Sequence, residues 1–135
     1  LGSSQLTRLD DNNKIRRENF SRFISIIEKY PDLFYPKYNE IGNSSFCLPF
    51  ICKSKYIKKH LEKYLSYVGI ETRPLCSGNL LRQPFLSKIP NMPKPWEFPS
   101  VEFLHEQGFF IGNNHLITED DWHRFEKILE AYEKL

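Results

Sequence analysis

Arg73 and Arg82 both fall within one run, GIETRPLCSGNLLRQPF, with Ser77, Asn79 and Gln83 beside them. A guanidinium presents a planar fork of donors that matches phosphate or carboxylate, so two in one irregular stretch mark a place where an anion can be held. The plainer reading is a pair of structural or surface arginines. Asn79 follows Gly78, a pairing that suits a turn, while its amide also suits a sugar hydroxyl. His115, in GNNHLIT, is either a solvated loop residue or a neutral imidazole that bonds a sugar oxygen or assists proton transfer. Cys76 reads as a small buried hydrophobe beside the loop, with a reactive thiol as the alternative. Trp96, in PKPWEFP, reads as packing the long loop down, or as a platform for base stacking. His60, His105 and His123 fall on helical segments and read as surface residues, with no metal-ligand spacing among them. No glycine-rich phosphate loop and no GxSxG nucleophile motif is present.

These residues need elements to position them. Leu6, Leu9, Phe20, Phe23, Ile24 and Ile27 recur at helical spacing, and Pro31 cannot continue that helix. The polar DDNNK in its middle predicts fraying or a kink. SSFCLPFICK reads as a strand, and Pro49 inside it predicts an edge strand or a bulge. Ser54 suits the N-cap of a helix whose stripe is Ile57, Leu61, Tyr64, Leu65 and Val68, with Gly69 as its stop. IETRPLC reads as a second strand. The five prolines of SGNLLRQPFLSKIPNMPKPWEFP argue against repeating structure, and a loop of this length is usually functional. Ser100 is the expected cap of a short helix, VEFLHEQ, which Gly108 ends. FFIGN reads as a third strand. Thr118 and Asp121 form a capping-box-like start to a last helix carrying Trp122, Phe125, Ile128, Leu129 and Tyr132 on one face. The expected class is α+β: a small two-layer domain with a three-stranded, mostly antiparallel sheet and helices on one face.

Composition narrows the function. The chain has 135 residues, enough for one core, and a formal net charge of +2, too close to neutral to argue for nucleic acid or an anionic membrane. The Lys-rich KSKYIKKHLEKY and the acidic TEDDWHRFEKILEAYEKL read as solvated helix faces. Three cysteines without a CxxC fit reduced thiols in a cytoplasmic protein better than a metal knuckle or a disulfide framework. No apolar run is long enough to span a membrane, and LGSSQLTRLDD lacks the pattern of a signal peptide. It reads as the middle of a helix, as if the chain were cut from something longer.

Three runs in this order, QLTRLDD…KIRRENF, GIETRPLCSGNLLRQPF and GFFIGNNHLITEDDWHRFEKIL, resemble the C-terminal small domain of the DegT/DnrJ/StrS-type PLP-dependent sugar aminotransferases. The GNLLRQP loop looks most like the branch that removes the 3-hydroxyl from nucleotide-linked 4-keto-6-deoxy sugars. The resemblance implies a linking helix over residues 1–30 and a small α+β domain over residues 31–135, with the large cofactor-binding domain outside this sequence. It implies PLP or PMP in the parent enzyme and none in this piece, and a role in polysaccharide or deoxysugar biosynthesis. The parent would work as a homodimer in the cytoplasm on a nucleotide-sugar substrate, without nucleic acid or membrane. Arg73, Asn79, Arg82 and His115 would be substrate-binding, and no catalytic residue is assigned. A free-standing interaction or regulatory module with the same fold is the alternative.

Overall fold

A computed structural model describes residues 2–75 and 78–135, so Cys76 and Ser77 lie outside the described residues. In chain order the elements are α1 (Gly2–Leu6), α2 (Leu9–Ile27), β1 (Cys47–Ile51), α3 (Lys55–Tyr67), β2 (Arg73–Pro74), α4 (Pro99–Gln107), β3 (Gly108–Gly112) and α5 (Glu119–Glu133). The strands pair antiparallel in the order β1-β3-β2. This is the α+β class expected from the sequence.

Alternation along the strands decides what the sheet buries. Leu48 and Phe50 of β1 lie opposite Ile111 and Phe109 of β3, and all four are buried. Phe50 stacks on Phe109 with ring centroids 4.7 Å apart. Phe23 of α2 meets Phe50 edge-on at 5.0 Å, and Phe125 of α5 meets it at 6.2 Å. Leu61 and Leu65 of α3 complete the layer. The other face of the sheet carries Cys47, Pro49, Ile51 and Phe110, all partly exposed, together with the exposed Arg73 opposite Phe110.

Local chemistry sets the element ends. Ser54 caps α3 by accepting the Ile57 N–H at 3.2 Å, and Gly69 stops it at φ +85°. Thr118 and Asp121 form the reciprocal capping box of α5. For α4 the expected Ser100 cap gives way to Phe98, because Pro99 takes the first helical position, where its missing N–H costs nothing. The expected kink in DDNNK is also absent. The helix breaks earlier, at Thr7 and Arg8, and α2 runs unbroken from Leu9. The first two residues of its apolar stripe, Leu6 and Leu9, are exposed, and burial begins only at Asn19 and Phe20.

Pro49 sits where the register tolerates it. The backbone bonds Asn113 N–H to Phe46 and Cys52 N–H to Gln107 place Phe46, Leu48, Phe50 and Cys52 in the bonded positions facing β3. Pro49 therefore points its missing donor outward, along the free edge. There its carbonyl accepts the Tyr38 hydroxyl at 2.8 Å, and the Ile51 carbonyl accepts the Tyr35 N–H.

A buried amide pair ties α2 to the sheet. Asn19 donates to Asn113 Oδ1 and to the Asn114 carbonyl, while Asn113 donates to the carbonyls of Arg16 and Ser45, all at 2.9–3.0 Å. Replacing Asn113 by alanine strands several of these partners away from water, a loss of about 1–3 kcal/mol. Denaturant unfolding of Asn113→Ala against the parent chain checks this, and a change within experimental error would show that the pair carries no stability.

Candidate functional site

The open face of the sheet forms a shallow cleft of about 770 Å³ lined by Ser45, Phe46, Cys47, Arg73, Pro74, Leu75 and Phe110. The strand register creates it, because the parity that buries Phe109 turns Phe110 and Arg73 the other way. Phe46 and Phe110 meet edge-to-face at 6.0 Å, and Phe46 is 67% exposed. Arg73 enters this apolar hollow from β2. Its guanidinium is paired with Glu71 at 2.5 Å, but both side chains are exposed, and such a pair is readily exchanged for another anion. Cys47 also borders the cleft, with Sγ 3.1 Å from Ser45 Oγ. Cys52, by contrast, is fully buried, and burial pushes its thiol up to about 12, so it stays a neutral apolar group.

The GNLLRQP loop is folded separately, against α4. Asn79 is 2% exposed, and its bonds are internal. Its Oδ1 accepts the Leu81 N–H at 3.0 Å and caps a 3-10 turn, Leu80–Arg82. Its Nδ2 donates to Glu102 Oε1 at 2.5 Å and lies 3.4 Å from the Pro95 carbonyl. The backbone N–H of Asn79 donates to Nδ1 of His105 at 2.9 Å. Arg82 is bound by the same carboxylate: its Nε lies 3.0 Å from both oxygens of Glu102, and its Nη2 donates to Oε2. The Arg82 guanidinium, helped by the Asn79 amide, holds the Glu102 carboxyl down at about 2.

Of the four residues singled out in the sequence, Asn79 and Arg82 meet through Glu102. Arg73 stands in the open cleft, of which Arg82 and His115 are not lining residues. His115 is exposed on the turn between β3 and α5, two residues past the buried Asn113. Trp96 does not pin the long loop. It is 72% exposed and borders a second hollow with Leu81, Leu86 and Met92. His105, read as a surface residue, is instead half-buried against the loop. Neither His105 nor Glu102 stands out in the sequence. What was available is their spacing of one helical turn, which puts both on one side of α4.

Among the described residues no group of His, Cys, Asp or Glu could hold a metal ion, and no helix is long and apolar enough to cross a membrane.

No family model matches the chain. It is 30% identical over 133 residues to GDP-4-keto-6-deoxy-D-mannose 3-dehydratase of Escherichia coli O55:H7, a match covering 96% of this chain and 34% of that protein. The solved structure of the E. coli GDP-4-keto-6-deoxy-D-mannose-3-dehydratase with bound hydrated PLP superposes on 95% of the chain with a TM-score of 0.78 at 27% identity, and 33% of that structure is covered. A sugar aminotransferase from Micromonospora echinospora shares the fold, with a TM-score of 0.77 at 15% identity. The chain thus spans about a third of the length of the relatives it matches and corresponds to their small C-terminal part. PLP requires a Schiff-base lysine or its replacement and a charged partner for the pyridine nitrogen. Among the described residues every lysine is exposed except the half-buried Lys58, whose Nζ donates to the His105 carbonyl. The residues lining the cleft at Arg73 include neither a lysine nor a carboxylate, and the exposed Glu71 meets it only through Arg73. These residues do not fit that cofactor.

The Glu102 carboxylate has a testable pH signature. Because its folded value lies below the ordinary 4.5, its stabilising effect is complete above about pH 4.5 and is lost as pH falls through about 2. A carboxyl ¹³C titration is expected to place Glu102 well below the ordinary 4.5, and the stability gap between the parent chain and Glu102→Gln is expected to close over the same interval. An ordinary midpoint near 4.5 would mean that the pair with Arg82 does not form in solution.

Proposed function

We propose that the chain is the C-terminal domain of a PLP- or PMP-dependent enzyme of the DegT/DnrJ/StrS type acting on a nucleotide-linked 4-keto-6-deoxy sugar. What carries this reading is the match of 30% identity and TM-score 0.78 across 95% or more of the chain to enzymes named for that substrate class. In it, residues 1–30 link this domain to a larger cofactor-binding domain, and residues 31–135 close one side of the active site. PLP or PMP, held elsewhere in the enzyme, supplies the electron sink. The reaction is transamination or removal of the 3-hydroxyl. The setting is a cytoplasmic homodimer that makes a deoxysugar for a surface polysaccharide such as lipopolysaccharide, without nucleic acid or membrane as partners.

This chain's residues supply placement. Arg73 is the direct contact: a donor fork in an apolar cleft holds an anionic oxygen of the nucleotide sugar more strongly than it could in open water. Asn79 has spent its bonds on the loop and on α4, so it shapes the substrate side by fixing Glu102, which holds Arg82 in place. His115, exposed beyond β3, is a candidate contact to a sugar oxygen.

A chimera tests the reading. This chain would replace the corresponding C-terminal third of the E. coli dehydratase, and the product would be assayed with GDP-4-keto-6-deoxy-D-mannose, with and without glutamate as amino donor. The chimera is expected to bind PLP and turn over. Arg73→Ala within it is expected to raise KM by roughly tenfold or more, the worth of one charged hydrogen bond. This chain alone, mixed with PLP and dialysed, is expected to keep no cofactor absorbance. A chimera that folds and holds PLP yet neither binds nor converts the substrate would rule the reading out.

A further inference from the structure

Among the described residues, Arg82 is held by one edge only. A guanidinium has two edges able to receive a pair of anionic oxygens, one formed by Nε and Nη2 and the other by Nη1 and Nη2. Every bond to Glu102 leaves from the Nε and Nη2 side. The carboxylate is the inner partner, since its side chain is 17% exposed and that of Arg82 is 46% exposed. Glu102 is in turn fixed by Asn79 Nδ2, and the Asn79 backbone is fixed by His105 Nδ1, one turn further along α4. Gly78 completes the fit. It holds φ +74°, and a Cβ there would lie 2.0 Å from His105 Nδ1. The loop is therefore strapped to α4 at two points, and the strap ends on a guanidinium whose side chain is 46% exposed.

We propose that Glu102 and His105 are positioning residues that commit the inner edge of Arg82 so that its Nη1 and Nη2 edge receives the paired oxygens of a phosphate. This rests on the nucleotide-sugar reading above and adds to it the group that Arg82 meets. Two effects compete at such a site. The negative Glu102 weakens the attraction of Arg82 for an anion, whereas fixing a long side chain in advance removes the ordering cost at binding. Glu102 sits on the inner edge of Arg82 and its charge is already shared with the Asn79 amide, so pre-orientation of the outer edge prevails. The His105 contact needs an unprotonated Nδ1. The charged groups around it are Glu102 and Glu106 on α4, Arg82 on the loop and Lys58 on α3.

The test uses this chain, ¹⁵N-labelled, with inorganic pyrophosphate as the probe and the Arg82 Nε–H and Asn79 amide resonances as readouts. In the parent chain the Arg82 signal is expected to be resolved at neutral pH and to shift on titration. Glu102→Ala is expected to raise the pyrophosphate midpoint at Arg82 by about threefold to tenfold and to speed Asn79 amide exchange. His105→Ala is expected to speed that exchange too. His105→Gln, whose carbonyl can take the same N–H, is expected to restore most of it, a rescue that general loosening of the fold does not give. Gly78→Ala provides the strap defect without removing a charge and is expected to act like His105→Ala. Pyrophosphate binding to Glu102→Ala as tightly as to the parent, or more tightly, overturns the proposal, because Glu102 would then be a competitor. So does an Arg82 signal that ignores pyrophosphate in the parent chain. That second result leaves the nucleotide-sugar reading to be judged by the chimera and by Arg73.

Discussion

Phe50 is the residue on which the two layers depend. One ring touches the neighbouring strand through Phe109, the long helix through Phe23, the last helix through Phe125, and the loop before the sheet through Phe34 at 5.2 Å. Aromatic contacts of this kind exceed what their buried area alone gives, and they restrict the angle at which each element approaches. Because a strand alternates, holding Phe50 inward forces Pro49 and Ile51 outward, and through the pairing with β3 it turns Phe110 and Arg73 outward as well. The core and the cleft are two sides of one register.

That coupling explains the division of labour among the polar residues. Arg73 is placed by the sheet, its backbone set by the pairing with Phe110. Arg82 is placed by α4 through Glu102, and the described residues of the loop carrying it have no sheet pairing of their own. The two arginines share a stretch of sequence but belong to different supports. A ligand that met both would bridge the sheet and α4.

Much of the fold was legible in the sequence because its signals are local. The stripe of α5, the Ser54 and Thr118 caps, the Gly69 stop and the edge placement of Pro49 each follow from residues within a turn or two. The errors arose where a local signal lost to a neighbour. Ser100 lost to Pro99, a better first helical residue, and the polar run expected to kink the first helix stayed helical. The site was less readable, because its bonds join distant residues: Asn79 to His105, Arg82 to Glu102 and Asn19 to Asn113. A glutamate and a histidine one turn apart look the same in sequence whether they face solvent or a loop. The resemblance to nucleotide-sugar enzymes, carried by three runs along the chain, proved sound at the level of overall similarity.

The proline in the outermost strand has a consequence for how copies of the molecule behave when crowded together. A foreign strand arriving along that margin would find no amide proton at its midpoint, and two of the nearby carbonyls already occupied by Tyr38 and Tyr35. Zipper-like growth from this side is therefore blocked at the backbone, whatever the surrounding side chains attract. The open aromatic hollow can thus stay sticky toward a ligand or a neighbouring surface without the adjoining margin serving as a seed for fibrils.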